Sequence, residues 1–361
     1  MRYVARIILA GAAGTALGIG VGWALWHGAA PSGLAPSAAV PSLPTTATTP
    51  ATEPAGTAPP GPLAYPWPIK PFDRPHPVRA NFGDPRTSFD RAATQTVLTG
   101  PGLFRFHNGI DIAAATGTSV YAVVSEVADV RAPVLVWVRT RDGRTFGYGH
   151  VRPAVRTGER VIARQTVLGH VVPDALHVHL TEFDRHGKPT NPLAPGHLTP
   201  YLDRTAPSVT GIAFHDEHGR EISPLHLTGR IRIVADAYDV PEPSAPGAWQ
   251  GEPVTPALLG WRISTLDRKT VVPERIAVDF RRRIPPDRNF WRVYSPGTYK
   301  NFPVFAHHRF WGMPGEYFFD LTPDSLDTKR IPNGVYLLSV TVGDVRGDRS
   351  TSGQRFTIAN A

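Results

Sequence analysis

Residues 177–183 read His177-Val178-His179-Leu180-Thr181-Glu182-Phe183. Successive side chains of a β-strand point to opposite faces, so the stretch predicts a strand with both imidazoles on one face and Val178 and Leu180 on the other. Outward from it, between Trp67 and about Asp203, short β-branched runs alternate with Gly, Pro and Asp. Ser119 to Val124, Val134 to Arg139 and Thr145 to Tyr148 are such runs, the last two divided by Arg141-Asp142-Gly143, a hairpin signal. No long 3.6-residue periodicity competes with them, and an all-β domain is expected.

Two more histidine clusters lie in the same segment. In His107-Asn108-Gly109-Ile110-Asp111 the first and last residues are four apart, which on a strand puts them on one face and lets them converge. Tyr148-Gly149-His150 reads as a histidine closing a strand. Two His and one Asp are suitable zinc ligands at ~2.0–2.2 Å, and three protein ligands leave a position open for water. Bound metal lowers the pKa of that water towards ~7 and polarises a substrate carbonyl. Additional histidines are suited to taking the proton and to steadying an oxyanion.

Each cluster alone has a bland reading as a surface pair or packed histidine, but in this order within one domain they resemble the lysostaphin-like, or LytM, zinc endopeptidases of bacterial cell walls. The resemblance runs from about Asn81 to Asp203. It takes in Asn81-Phe82-Gly83-Asp84-Pro85-Arg86, His107 to Ala113, Gly117-Thr118-Ser119-Val120-Tyr121-Ala122, Tyr148-Gly149-His150-Val151, Gly158-Glu159-Arg160-Val161, Gln165, Leu168-Gly169, His177-Val178-His179 and Asn191-Pro192-Leu193. It implies a mainly β, two-sheet or barrel-sandwich peptidase fold with one Zn2+ per chain. It further implies His107, Asp111 and His179 as metal ligands, His177 as general base and His150 at the oxyanion side. The sequence departs from the family pattern at Val171-Val172-Pro173-Asp174-Ala175, where a glycine-rich loop is usual, at Ser125-Glu126-Val127, and at Glu182, which comes one place late. Gly158 to Gly169 also resembles half of a biotinyl or lipoyl barrel. Such a carrier needs a lysine at a hairpin tip, and the nearby lysine, Lys188, lies beyond the His-x-His strand.

The composition narrows the chemistry. A length of 361 residues allows two globular domains. Zero cysteine excludes disulfide frameworks, thiolate metal sites and thiol nucleophiles, so a metal must sit on His, Asp or Glu. The net charge of +8 comes from scattered arginines with no dense run, which fits an anionic wall and gives no reason to expect a nucleic-acid partner.

Ile7 to Trp26 is uncharged and apolar behind Arg2 and Arg6. At 1.5 Å per residue it spans about 30 Å, enough for a single-pass membrane anchor with the N-terminus inside and the bulk of the chain outside. The alternative is a signal peptide cleaved near Ser37-Ala38-Ala39, with the protein secreted. Residues 27–66 form a Pro/Ala/Thr-rich stretch with Glu53 as its sole charged side chain, expected to be an extended tether. The peptidase-like domain is expected at 67–204 and a second domain at 205–361.

In the second domain Ile231, Ile233, Ala235 and Ala237 alternate with Arg230, Arg232, Val234 and Asp236, followed by apolar Val335 to Val342 and a closing strand at Gln354 to Ile358. This resembles the immunoglobulin-like β-sandwiches of exported bacterial enzymes. Phe290 to Tyr317, dense in aromatics, reads either as a wall-stacking surface or as a loop packed on the domains. His186, His215 and His218 fall in turns, and His307-His308 reads as surface or packing. The expected function is a zinc-dependent endopeptidase of peptidoglycan; the alternative is a non-hydrolytic wall-binding or regulatory protein retaining the fold. The oligomeric state is left open.

Overall fold

The Arg141-Asp142-Gly143 turn joins Leu135–Arg139 to Thr145–Gly149, which pair antiparallel as the turn signal predicts. The structure, a computed structural model, describes residues 64–89, 102–173, 175–300 and 315–361. All fall in one compact unit, Leu43–Ala361. The predicted membrane segment and nearly all of the tether lie outside the described residues. Among those described, no helix is long and apolar enough to cross a membrane.

The first lobe contains β1 (Val78–Ala80), β2 (Pro85–Phe89), β3 (Gly102–Phe106), β4 (Ile110–Ala113), β5 (Ser119–Tyr121), β6 (Glu126–Ala132), β7 (Leu135–Arg139), β8 (Thr145–Gly149), β9 (Val151–Pro153), β10 (Arg160–Val161), β11 (Val167–Val171), β12 (His177–Phe183) and β13 (Pro189–Thr190). The main sheet runs β1-β4-β12-β8-β7-β6-β10, with β13 on β12. A second sheet runs β5-β11-β9, and β2 and β3 form a separate hairpin. Strand alternation puts Ile110, Ile112, Val136, Val138, Phe146, Tyr148, Val178 and Leu180 in the core, each fully buried. Glu182 shares the face of Val178 and Leu180, away from the imidazoles. There it accepts hydrogen bonds from Tyr65 Oη at 2.7 Å and His197 Nδ1 at 2.8 Å. Tyr65, within the expected tether, is thus buried in the lobe.

The second lobe contains β14 (Ser208–His215), β15 (Glu221–Ile222), β16 (Arg230–Tyr238), β17 (Leu258–Thr265), β18 (Thr270–Asp279), a helical turn α1 (Phe290–Val293), β19 (Phe318–Asp320), β20 (Leu326–Asp327), β21 (Gly334–Gly343) and β22 (Arg349–Ile358). One sheet runs β15-β14-β16-β19 with β20 on β16, the other β18-β17-β21-β22. Phe214 and Phe356 bring the two together with ring centroids 5.5 Å apart. Ile231, Ile233, Ala235 and Ala237 are all buried as expected, but Val234, expected on the opposite face, is buried as well.

The lobes share one continuous apolar core. At the seam Phe106 packs on Phe280, Phe290 and Tyr294 at centroid distances of 5.5–5.9 Å. Gly83, at φ +96°, lies so close under Phe280 that a Cβ would come within 2.4 Å of the ring, so only glycine fits. Asp84 accepts from Thr255 N at 2.7 Å, and Asn81 Nδ2 donates to Thr255 O at 3.1 Å. In the aromatic segment, Phe290, Tyr294, Tyr299 and Tyr317 are buried, so the described part is packing rather than an exposed stacking surface. His307-His308 lies outside the described residues.

Where the lobes meet, Asp203, Asp239 and Asp344 are all buried. Asp203 accepts from the Thr205 hydroxyl and from the backbone N–H groups of Thr205 and Glu242, and Asp344 from those of Arg346, Gly347 and Asp348. Asp239 Oδ1 and Asp344 Oδ2 have no hydrogen-bond partner among the described residues.

Candidate metal centre

The site is set by sheet register. Strand β12 lies between β4 and β8, so His179 faces Asp111 on one side and Gly149 on the other, and His177 stands opposite Ala113. A Cβ at position 149 would press on His179 Cβ at 3.2 Å, so glycine there leaves the imidazole room to lie against the sheet. His107 and Asp111 do not share a strand, contrary to the sequence expectation. His107 follows the end of β3 and Asp111 lies in β4, and the Asn108-Gly109 connection folds one towards the other.

The predicted ligands come together. His107 Nε2 lies 2.9 Å from His179 Nδ1 and 3.2 Å from Asp111 Oδ1, and His179 Nδ1 lies 3.0 Å from the same oxygen. Ligands around a tetrahedral zinc at ~2.0–2.1 Å stand about 3.3 Å apart, close to this spacing. His107 donates its Nδ1–H to the carbonyl of Asn81 at 2.8 Å, which leaves Nε2 as the lone-pair nitrogen facing the cluster. This backbone partner fixes the tautomer as outer partners do in metal sites. Two imidazoles and a carboxylate, all offering lone pairs to one point, fit zinc.

The predicted catalytic histidines flank this group. His177 donates Nδ1–H to Ala175 O at 2.5 Å, and its Nε2 lies 3.5 Å from Asp111 Oδ1. His150 has φ +60°, a left-handed conformation uncommon outside glycine. Its ring centroid lies 4.3 Å from that of His177 and 6.5 Å from that of His179. Backbone strain of this kind is kept where surrounding structure over-determines it, often at functional sites.

Burial, with Arg86 adding its charge, pushes the His107 imidazole down to about 3. Burial likewise takes His177 to about 3 and His150 to about 4, with nearby Asp111 opposing in both. All three are neutral at pH 7, and their lone pairs stay free of protons. Burial alone would raise the Asp111 carboxyl, but its surroundings, the permanent charge of Arg86 among them, hold it well below the usual range.

Two arginines were given no role at the site by the sequence, although Arg86 lies in the family-like segment Asn81 to Arg86. Arg86, on β2, donates Nη2–H to Asp111 Oδ2 at 2.7 Å and leaves Oδ1 for the cluster. Arg79, on β1 with a side chain 3% exposed, has Nη2 3.4 Å from His177 Nε2 and 3.8 Å from Asp111 Oδ2. Its guanidinium sits 4.0 Å from the ring centre of Trp249 in the second lobe. Burial lowers it to about 10, so it remains a cation at neutral pH. Residue alternation places Arg79 across the strand from Val78 and Ala80, yet nothing local in sequence links it to His177 or Trp249.

The cluster forms the floor of an open cleft of about 830 Å³ whose other walls include Arg105, Lys188 and the second-lobe segment Arg283 to Asp287. Solved structures resemble the chain over about a third of its length. The likeness is to M23 peptidase domains, the lysostaphin-like fold. The catalytic domain of a prophage-encoded M23 protein from Enterococcus faecalis is 23% identical over 34% of this chain and 94% of its own, with a TM-score of 0.25. A zinc-containing peptidase from Vibrio cholerae is 20% identical over 36% of this chain and 39% of its own, at 0.28. A chain of the SpoIIQ–SpoIIIAH pore-forming complex is 22% identical over 36% of this chain and 89% of its own, at 0.27. No family model and no curated protein matches the chain. At these identities and TM-scores the likeness carries nothing about chemistry, which rests on the residues themselves.

Proposed function

We propose that the chain is a zinc-dependent endopeptidase that hydrolyses peptide bonds of peptidoglycan, with one zinc held by His107, Asp111 and His179. The observation that carries the reading is the convergence of His107 Nε2, Asp111 Oδ1 and His179 Nδ1 at 2.9–3.2 Å on the floor of an open cleft. The bound metal supplies Lewis acidity at a scissile carbonyl and an acidified water. His177, whose Nδ1–H is committed to Ala175 O, offers Nε2 as the acceptor for the proton of the attacking water. His150, neutral and beside it, retains one N–H to donate to the carbonyl oxygen as charge develops. Arg86 orients Asp111 by holding the oxygen that faces away from the ligand cluster.

In the same reading residues 1–26 anchor the chain in the cell membrane with both lobes extracytoplasmic, and cleavage with secretion is the alternative. The described residues divide functionally into a peptidase domain to residue 204 and an immunoglobulin-like sandwich from 205. Purified full-length protein should contain about one zinc and clear peptidoglycan in a zymogram, and His179→Ala should lose both.

A second reading, a non-hydrolytic regulator that keeps the fold, is favoured by Arg79. Its Nη2 points a donor at the lone pair that His177 would use as base. Zinc bound at one per chain with no clearing of any wall type would support this reading and overturn hydrolysis.

A further inference from the structure

The charges lining the cleft do not cancel. Arg86, Arg105, Lys188 and Arg283 face it against Asp111 and Asp287. Most of these groups are already engaged. Arg86 holds Asp111. Arg283 pairs with Asp184 at 2.8 Å and donates to Pro189 O at 3.0 Å and to Thr190 Oγ1 at 2.6 Å. Asp287 Oδ1 accepts from the backbone N–H of Phe106 at 3.2 Å. Two exposed cations remain, Arg105 and Lys188, and among the described residues neither has an ion-pair partner.

Their placement is built rather than incidental. Arg105 stands directly opposite Arg86 across the β2–β3 ladder, which puts two like charges on one face beside the ligand cluster. Asp111 answers the charge of Arg86 and leaves that of Arg105 without an anion of its own. The second lobe fixes both elements: Asp287 grips the residue next to Arg105, and Arg283 donates to the turn that carries Lys188. Positioned cations that lack a protein anion are suited to carboxylates of a bound peptide.

We propose that the cleft selects peptides bearing free carboxylates beside the scissile bond, held by Arg105 and Lys188. The inference rests on the peptidase reading for the word scissile and on the charges alone for the selectivity. It makes the acidic stem peptide, and not a neutral glycine bridge, the segment recognised.

Binding and cleavage are measured separately with zinc-loaded full-length protein. The probes are two synthetic stem peptides, identical except that their carboxylates are free or amidated, and pentaglycine. With His177→Ala, calorimetry should give binding about tenfold or more tighter for the free acid than for the amide, shrinking with added salt. Arg105→Ala and Lys188→Ala together, both at exposed positions, should remove that preference while zinc content and thermal unfolding stay unchanged. Equal binding of acid and amide, or a preference that survives the double substitution, overturns the proposal. Cleavage by the unsubstituted protein is the independent readout. Preferential binding without cleavage of any probe supports carboxylate selection and overturns the peptidase reading, and cleavage with no carboxylate preference does the reverse.

Discussion

Two buried clusters in this molecule solve opposite electrostatic problems. Around Asp111, one carboxylate is ringed by His107, His177 and His179 and by the guanidinium groups of Arg79 and Arg86. At the meeting of the lobes, Asp203, Asp239 and Asp344 are buried together, and among the described residues no basic side chain is paired with any of them. Burying charge without a partner is costly, and each cluster adjusts its protons accordingly. The first sheds them: His107, His150 and His177 fall to about 3 to 4, so their lone pairs are free at neutral pH. The second keeps them: burial, reinforced by Asp203 and Asp348, takes the Asp344 carboxyl up to about 7, and burial with Asp203 and Asp344 raises Asp239 as well. A pocket that excludes protons is ready for a metal, whereas one that retains them is held together by hydroxyl and backbone donors.

The comparison breaks most severely at His179. His179→Ala removes one of the three converging donors, and zinc content should fall to background with peptide cleavage down by at least about a thousandfold, read by metal analysis and muropeptide release. Arg86→Met tests whether the cation at Asp111 is needed once a metal is present. Zinc affinity in a competitive chelator titration should drop by about 10- to 100-fold, with the fold retained.

Asp344→Asn probes the other cluster. With its pKa raised from 3.8 to about 7, folded Asp344 holds a proton that the unfolded chain has already released, so its contribution to stability falls as pH rises through that window. Asparagine keeps the acceptor for the three backbone N–H groups. The variant should therefore match the parent near pH 4 and exceed it by on the order of 1 kcal/mol or more at pH 8, measured by urea unfolding. Trp249→Ala gives the smallest effect, about 1 kcal/mol of stability from the lost cation–π contact with Arg79, with zinc stoichiometry unchanged. A loss of zinc in that variant would show that the second lobe reaches the ligands through Arg79.

What sequence could reveal follows from how far each contact reaches along the chain. His177 and His179 were legible because strand periodicity alone puts them on one face. Asp111 opposite His179 needed pairing between strands far apart in sequence, and a family resemblance supplied what local spacing could not. His107 was reached by a wrong route, since a turn at Asn108-Gly109 and not a continuous strand makes it meet Asp111. Arg79 and Arg86 were invisible as site residues: an arginine near a strand end is ordinary, and only the assembled sheet brings these two to one carboxylate. Trp249 and Arg283 were less legible still, because they act from the second lobe across a seam that no composition shift marks. Phe290 and Tyr294 read either as a wall-stacking surface or as packing, and the seam uses them as core.

The seam also ties the metal centre to the order in which the protein is made. All three ligands have been synthesised by residue 179, yet the pieces that steady them come later. Asn81, whose carbonyl orients His107, is itself held by Thr255; Gly83 is covered by Phe280 and accepts a hydrogen bond from Tyr294 Oη at 2.8 Å. A chain that ended soon after residue 179 would have the predicted ligands but not these supports. The candidate site in the N-terminal lobe is thus finished only by contacts that the chain reaches between Thr255 and Tyr294, more than seventy residues after the last of the converging side chains.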